Sequence, residues 1–86
     1  MNQYIKKSNY DITQLEDEWI ILNTDNYTIT KLNQIGGFCW HLLDKSQSPN
    51  SLLQEIKENY NSSTTFEDVE NYLQQLIQCG LVEHAG

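Results

Sequence analysis

The side chains able to do nucleophilic or metal chemistry are few: Cys39, His41, Cys79 and His84. Cys39 and His41 are two residues apart in a predicted helix, and positions i and i+2 do not face each other. The imidazole is therefore badly placed to activate the thiol. Zinc ligands come as close Cys or His pairs, and these four residues do not provide two such pairs. The acidic runs Glu16-Asp17-Glu18 and Glu67-Asp68 with Glu70 read as a solvated turn and a helix start. Gly36-Gly37 lacks the context of a phosphate-binding loop. These residues predict no catalytic group, no metal and no cofactor. Cys39 and Cys79 lie in apolar helical contexts and read as reduced, buried thiols.

Composition narrows the partner classes. A chain of 86 residues is one small domain, and all of it is assigned to one unit with an ordered core at about 10–83. Folding at this size buries roughly two-thirds of the unfolded chain's surface, which leaves little depth for an enclosed active site. Five Lys, no Arg and 12 acids give a net charge of −7. Binding along a phosphate backbone needs clustered cations, so nucleic acid is disfavoured as a partner. Nine Asn and eight Gln make the chain polar, but two Trp, five Tyr and two Phe argue for a packed core over disorder. There is no apolar run of membrane-spanning length and no secretory signal at MNQYIKKSNY. The expectation is a cytoplasmic protein without membrane contact.

The elements follow from periodicity. Trp19-Ile20-Ile21-Leu22 and Tyr27-Thr28-Ile29-Thr30 are β-rich runs joined by the turn formers Asn23-Thr24-Asp25-Asn26. A weaker strand at about Tyr10 to Leu15 precedes them. From Leu32 the period changes: Ile35, Phe38, Cys39, Leu42 and Leu43 form a helical stripe, with Asn33 as its N-cap. Gly36-Gly37 weakens that helix by about 1 kcal/mol each against Ala, and implies close packing against a neighbour. Ser48-Pro49 starts a second helix carrying Leu52, Leu53, Ile56 and Tyr60. Thr64 and Glu67 have capping-box spacing for a third. Its stripe is Phe66, Val69, Leu73, Leu76 and Ile77, with Tyr72 at the margin and Gly80 as the C-terminal cap. Leu81-Val82 ends in an extended stub. The ends, about 1–8 and 84–86, are expected to fray. The fold class is α+β: a three-stranded antiparallel sheet followed by three helices, the plan of a winged helix-turn-helix.

In that plan the third helix would enter the DNA major groove. Helix three here, residues 65–79, carries three acids and no Lys or Arg, so it would present negative charge to phosphates. The remaining use is peptide capture, with an extended peptide adding as a strand to an open sheet edge. The edge expected is Tyr27, Thr28, Ile29, Thr30 and Lys31. The facing wall is Asp68, Val69, Tyr72, Leu73 and Leu76, although Leu73 and Leu76 could equally close the core.

The run WIILNTDNYTITKLNQIGGFCWHLLD, residues 19–44, resembles the PqqD-like family. That family has a strand, a turn and a strand ending in Leu-Asn, then a helix with a small residue and a Trp before Leu-Leu. Here those are Leu32-Asn33, Gly36, Trp40 and Leu42-Leu43, and YLQQLIQCGLVE at 72–83 is similar to its closing helix. The resemblance spans about residues 10–83. It implies a RiPP recognition element, which binds the leader of a ribosomally made precursor peptide at the third strand, beside the third helix. Carried over, those elements are Tyr27–Lys31 and Asp68–Leu76. It further implies a partner, either a separate leader peptidase, as in lasso-peptide pathways, or a radical SAM enzyme, as in pyrroloquinoline quinone synthesis. The Asn- and Lys-tilted, Arg-free composition fits a low-GC genome and favours the lasso type.

Overall fold

The computed structural model describes residues 2–60 and 62–85. Three strands, β2 (Tyr10–Leu15), β3 (Glu18–Asn23) and β4 (Ile29–Leu32), form an antiparallel sheet in the order β2-β3-β4. Three helices follow: α1 (Gln34–Leu42), α2 (Pro49–Asn59) and α3 (Phe66–Gln78). This is the α+β plan predicted, and it is framed by two short strands, of which the C-terminal one falls at the expected extended stub and the N-terminal one was not predicted. β1 (Tyr4–Lys6) and β5 (Val82–His84) pair antiparallel as a separate ribbon.

That ribbon corrects the expectation of fraying ends. Tyr4 is only 6% exposed, and its backbone exchanges hydrogen bonds with Gln47 at 2.8 and 2.9 Å. The Lys6 ammonium is 2.8 Å from Asp44 and lies over the Trp40 ring, 4.6 Å from its centroid. The aliphatic stem is buried while the charge meets an aromatic face and a carboxylate. Three residues with a lysine among them carry no strand signal of their own, so this placement depends on partners distant in the sequence. Of the predicted frayed ends, Met1 and Gly86 lie outside the described residues.

Local signals set the helix starts. Asn33 Oδ1 accepts from the Gly36 amide at 2.8 Å, and Ser48 with Ser51 forms a reciprocal capping box ahead of Pro49. On α3 the cap is Thr65, one residue later than expected. Thr65 Oγ1 accepts from the Asp68 amide at 3.2 Å, and Asp68 Oδ2 accepts from the Thr65 amide at 2.9 Å. The carboxylate of Asp68 is therefore already committed to the backbone through one oxygen. At the other end Gly80 takes φ +74°. The Leu81 amide donates to Leu76 O and the Gly80 amide to Ile77 O, both at 3.0 Å, which is the Schellman arrangement. Leu81 is thereby turned back into the core, as its position after Gly80 implied.

The third strand is shorter than predicted. Tyr27 has φ +58° and belongs with Thr28 to the β3–β4 turn. Asx side chains cause this. The Asp25 amide donates to Asn23 Oδ1 at 2.9 Å, and the Thr28 amide donates to Asn26 Oδ1 at 3.0 Å. Those local bonds compete with the ladder.

Asn23 also ties the sheet to α3. It is 2% exposed, and its Nδ2 donates to the carbonyls of Cys79 and Gly80 at 2.9 and 3.1 Å. Asn23→Ala would strand two carbonyls and one amide, and a buried polar group left unpaired costs about 1–3 kcal/mol. We expect chemical denaturation to show a loss of about 2–3 kcal/mol. The Lys6–Asp44 pair holds the Asp44 carboxyl below its usual range, through the hydrogen bond from Lys6 and then its charge. A depressed carboxyl contributes stability above its unfolded value and loses it as pH falls through the folded one. Asp44→Asn should therefore flatten the acid-side decline in melting temperature.

Candidate functional site

The sheet order leaves β4 as an edge strand. Which of its backbone groups are free follows from the antiparallel alternation. The Asn23 amide donates to Thr28 O at 2.9 Å, so residues 23 and 28 stand at a hydrogen-bonded position of the ladder, with one of its two bonds made. Two residues on, Ile21↔Thr30 and Trp19↔Leu32 are the next such pairs. Thr30 and Leu32 thus turn their N–H and C=O groups toward β3, and Ile29 and Lys31 turn theirs to the open edge. The strand carries an exposed apolar end, with Tyr27 77% and Ile29 71% exposed. Thr30 is buried and Lys31 exposed.

Helix α3 is tied to both ends of this strand. Its C-terminus is held by Asn23, just before the β3–β4 turn. Its N-terminal half meets the start of α1, just after β4, where Tyr72 lies against Gly36. The helix therefore runs antiparallel to β4. Between its first turns and the start of α1 a cleft of about 240 Å³ opens, lined by Asn33, Ile35, Gly36, Cys39, Ile56, Thr64, Asp68, Val69 and Tyr72.

The predicted wall divides on inspection. Asp68, Val69 and Tyr72 line the cleft. Leu73 and Leu76, at 2% and 0% exposure, are core residues and do not line it. The apolar stripe of α3 faces inward; of its residues the buried Val69 lines the cleft floor, while Asp68 and Tyr72 lie at its margin. Glu67, Asp68 and Glu70 are exposed. Sequence reasoning missed Asn33 and Cys39 as cleft residues. It marked Gly36 as a point of close approach, and the structure gives the neighbour: a Cβ there would occupy the place of the Tyr72 hydroxyl. Gly37 is packed in the same way against the Trp19 indole.

Cys39 is a free thiol whose pKa burial pushes up to about 11, so it is protonated and a poor nucleophile at neutral pH. The Tyr72 phenol is also raised, by burial first and by its proximity to Cys39 second. Its hydroxyl is shielded from solvent and has no hydrogen-bond partner. His41 is on the other side of α1, edge-on to Trp19 at 4.6 Å, in a second cavity with Phe38 and Tyr60. Among the described residues, no three His, Cys, Asp or Glu side chains gather as metal ligands would. Nor, among the described residues, is any helix long and apolar enough to cross a membrane.

Fold and site together define a small winged-helix domain with an open edge strand and a neighbouring cleft. Residues 18–82 match the family model of coenzyme PQQ synthesis protein D (PqqD), and the chain belongs to that family. Two solved structures share the fold. TbiB1 in complex with the TbiA(beta) leader peptide superposes with a TM-score of 0.79 at 21% identity, covering 95% of this chain and 98% of that one. Lasso peptide synthetase B1 complexed with the leader peptide gives 0.74 at 16%, covering 93% and 96%. No protein with a curated description matches.

The Gly36–Tyr72 contact yields a test of the site's construction. Gly36→Ala should raise intrinsic helix propensity by about 1 kcal/mol, yet force the Tyr72 ring from its place. We expect a folded protein with displaced Tyr72 ring resonances in NMR and no gain in stability. Unmoved resonances with a gain would mean that the contact does not fix the ring.

Proposed function

We propose that this chain is a non-catalytic adaptor acting in the cytoplasm. It binds the leader of a ribosomally made precursor peptide by strand addition and presents it to a leader peptidase or other maturation enzyme in lasso-peptide biosynthesis. The observation that carries this reading is the open edge of β4, with the Ile29 and Lys31 backbone groups unpaired by the sheet. Family membership and the leader-bound proteins of the same fold support it.

In this reading the leader docks along residues 27–31 and lays anchoring side chains toward Asp68, Val69 and Tyr72. Backbone pairing supplies affinity, and the side-chain contacts supply selection. Basic leader residues would meet Glu67, Asp68 or Glu70. Such exposed pairs add about 0–1 kcal/mol each, so they tune encounter and selection more than affinity. The adaptor works through effective concentration, because holding the leader delivers the attached core peptide to the enzyme as a tethered substrate.

The family's name, coenzyme PQQ synthesis protein D, keeps open the second reading of the resemblance, a stand-alone peptide chaperone for a radical SAM enzyme. Neighbouring genes separate the two: a transglutaminase-like peptidase with an asparagine-synthetase-like cyclase for the first, a radical SAM enzyme for the second. DNA binding is opposed by α3, which carries Glu67, Asp68 and Glu70 and no Lys or Arg.

Calorimetric titration with the leader encoded beside this gene tests the proposal. Binding at micromolar or tighter concentrations is expected, and no binding at tens of micromolar would sink it. Ile29→Pro refines the test, since it removes an edge-facing donor while leaving the β3–β4 bonds in place. The variant should fold and lose at least tenfold in affinity. Undiminished binding by the folded variant would rule out strand addition through that amide.

A further inference from the structure

Among the described residues, the Tyr72 hydroxyl is one of two buried side-chain polar atoms without a partner, the other being Trp40 Nε1 in the closed core. An orphan phenol is costly: burying a polar group without a hydrogen bond loses about 1–3 kcal/mol. Phe would fill the same space without that cost. The position is moreover specifically accommodated. Gly36 occupies a helix position where Ala would be preferred, and the space of its absent Cβ is filled by the Tyr72 hydroxyl. Two residues that are each unfavourable alone thus combine to hold one hydroxyl behind the wall of the cleft. Trp40 differs, because it is fully buried and lines neither this cleft nor the cavity beside His41.

Among the described residues no donor or acceptor lies within hydrogen-bond reach of this hydroxyl. Of the polar groups lining the same cleft, Asn33 Oδ1 accepts from the Gly36 amide and Asp68 Oδ2 from the Thr65 amide. The Thr64 hydroxyl is bonded to Ser62 at 2.6 Å. The remaining Asp68 oxygen adds negative charge to the cleft. The lining carries no Lys. The cleft therefore has an apolar interior from Ile35, Ile56 and Val69, a carboxylate among its polar groups and, shielded behind Gly36 and the Tyr72 ring that line it, an unpartnered hydroxyl.

We propose that Tyr72 is a specificity-determining residue. Its hydroxyl is held unpartnered so that it can bond the tip of one leader side chain with an apolar shaft and a donor-bearing end (hydroxyl, amide or ammonium), and the cleft excludes carboxylates. This rests on the leader-binding reading above and deepens it. A leader strand added along β4 and continuing past Leu32 arrives at Asn33 and Gly36, where the cleft begins. The hydrogen bond then forms in a shielded site, and a peptide lacking it leaves the hydroxyl unpaired. Discrimination of this kind exceeds what apolar contact alone provides.

The test uses Tyr72→Phe with synthetic leader peptides from the precursor encoded beside this gene. Two shifts of opposite sign are expected. The free variant should melt at or above the wild-type temperature, because it no longer buries an orphan hydroxyl. Its affinity for the native leader should fall by about 3- to 10-fold. Scanning the leader should then locate one residue whose donor tip matters to the wild type and not to Tyr72→Phe. Glu at that leader position should abolish binding to the wild type. Equal affinity of the two proteins would overturn the inference while leaving leader binding intact. A lowered melting temperature would also overturn it, by assigning the hydroxyl a structural role. A Glu leader bound as well as the native one would remove the donor class. If the wild type binds no leader at all, the adaptor reading falls and takes this inference with it.

Discussion

The architecture depends on how closely α1 can approach its neighbours. Gly36 and Gly37 are adjacent on that helix and so point to different sides. One is packed against Tyr72 of α3 and the other against Trp19 of β3. Any side chain at either position would push a ring away. The α1 backbone is thus set directly against one ring from the sheet and one from α3, and the cleft lies between the start of α1 and the first turns of α3. Helix propensity is reduced twice in one turn to obtain this placement. Caps at Asn33 and the tertiary packing of Trp40 offset the loss.

A second constraint acts at the opposite end. Asn23 satisfies its own backbone in the β3–β4 turn and uses its side chain to hold the last carbonyls of α3. One residue thereby fixes where α3 ends relative to where β4 begins. With the Gly36–Tyr72 contact at the far end, strand and helix are held at both ends, and the edge between them stays open. A site built on a pinned helix and strand needs little rearrangement to accept an extended peptide, which keeps the entropic cost of binding low.

Much of the fold was legible because its signals are local. The change from period two to period 3.6 at Leu32 separates the sheet from the helices. Ser48-Pro49 and Gly80 mark helix ends through their own backbone chemistry. The β1–β5 ribbon was not legible, since Tyr4-Ile5-Lys6 becomes a strand only when Val82–His84 is beside it and Lys6 finds Trp40 and Asp44. Tyr27 was misplaced because Asn23 and Asn26 compete for the amides that a strand would use. Within the site, periodicity assigned Leu73 and Leu76 to a stripe without saying which way that stripe faces, and it faces the core. Tyr72 at the margin and Gly36 in the helix were the informative residues, one for its polar tip and the other for its missing side chain. That they touch each other is a tertiary fact that neither local pattern contains.

The central claim is that a peptide pairs with the open edge of β4. Amide hydrogen exchange reads this directly, because the alternation separates neighbouring residues. In the free protein the amides of Thr30 and Leu32 should be protected by β3, and those of Ile29 and Lys31 should exchange freely. Adding the leader should slow Ile29 and Lys31 selectively. A leader that binds while both amides continue to exchange at the free rate would contradict strand addition and place the peptide elsewhere on the domain.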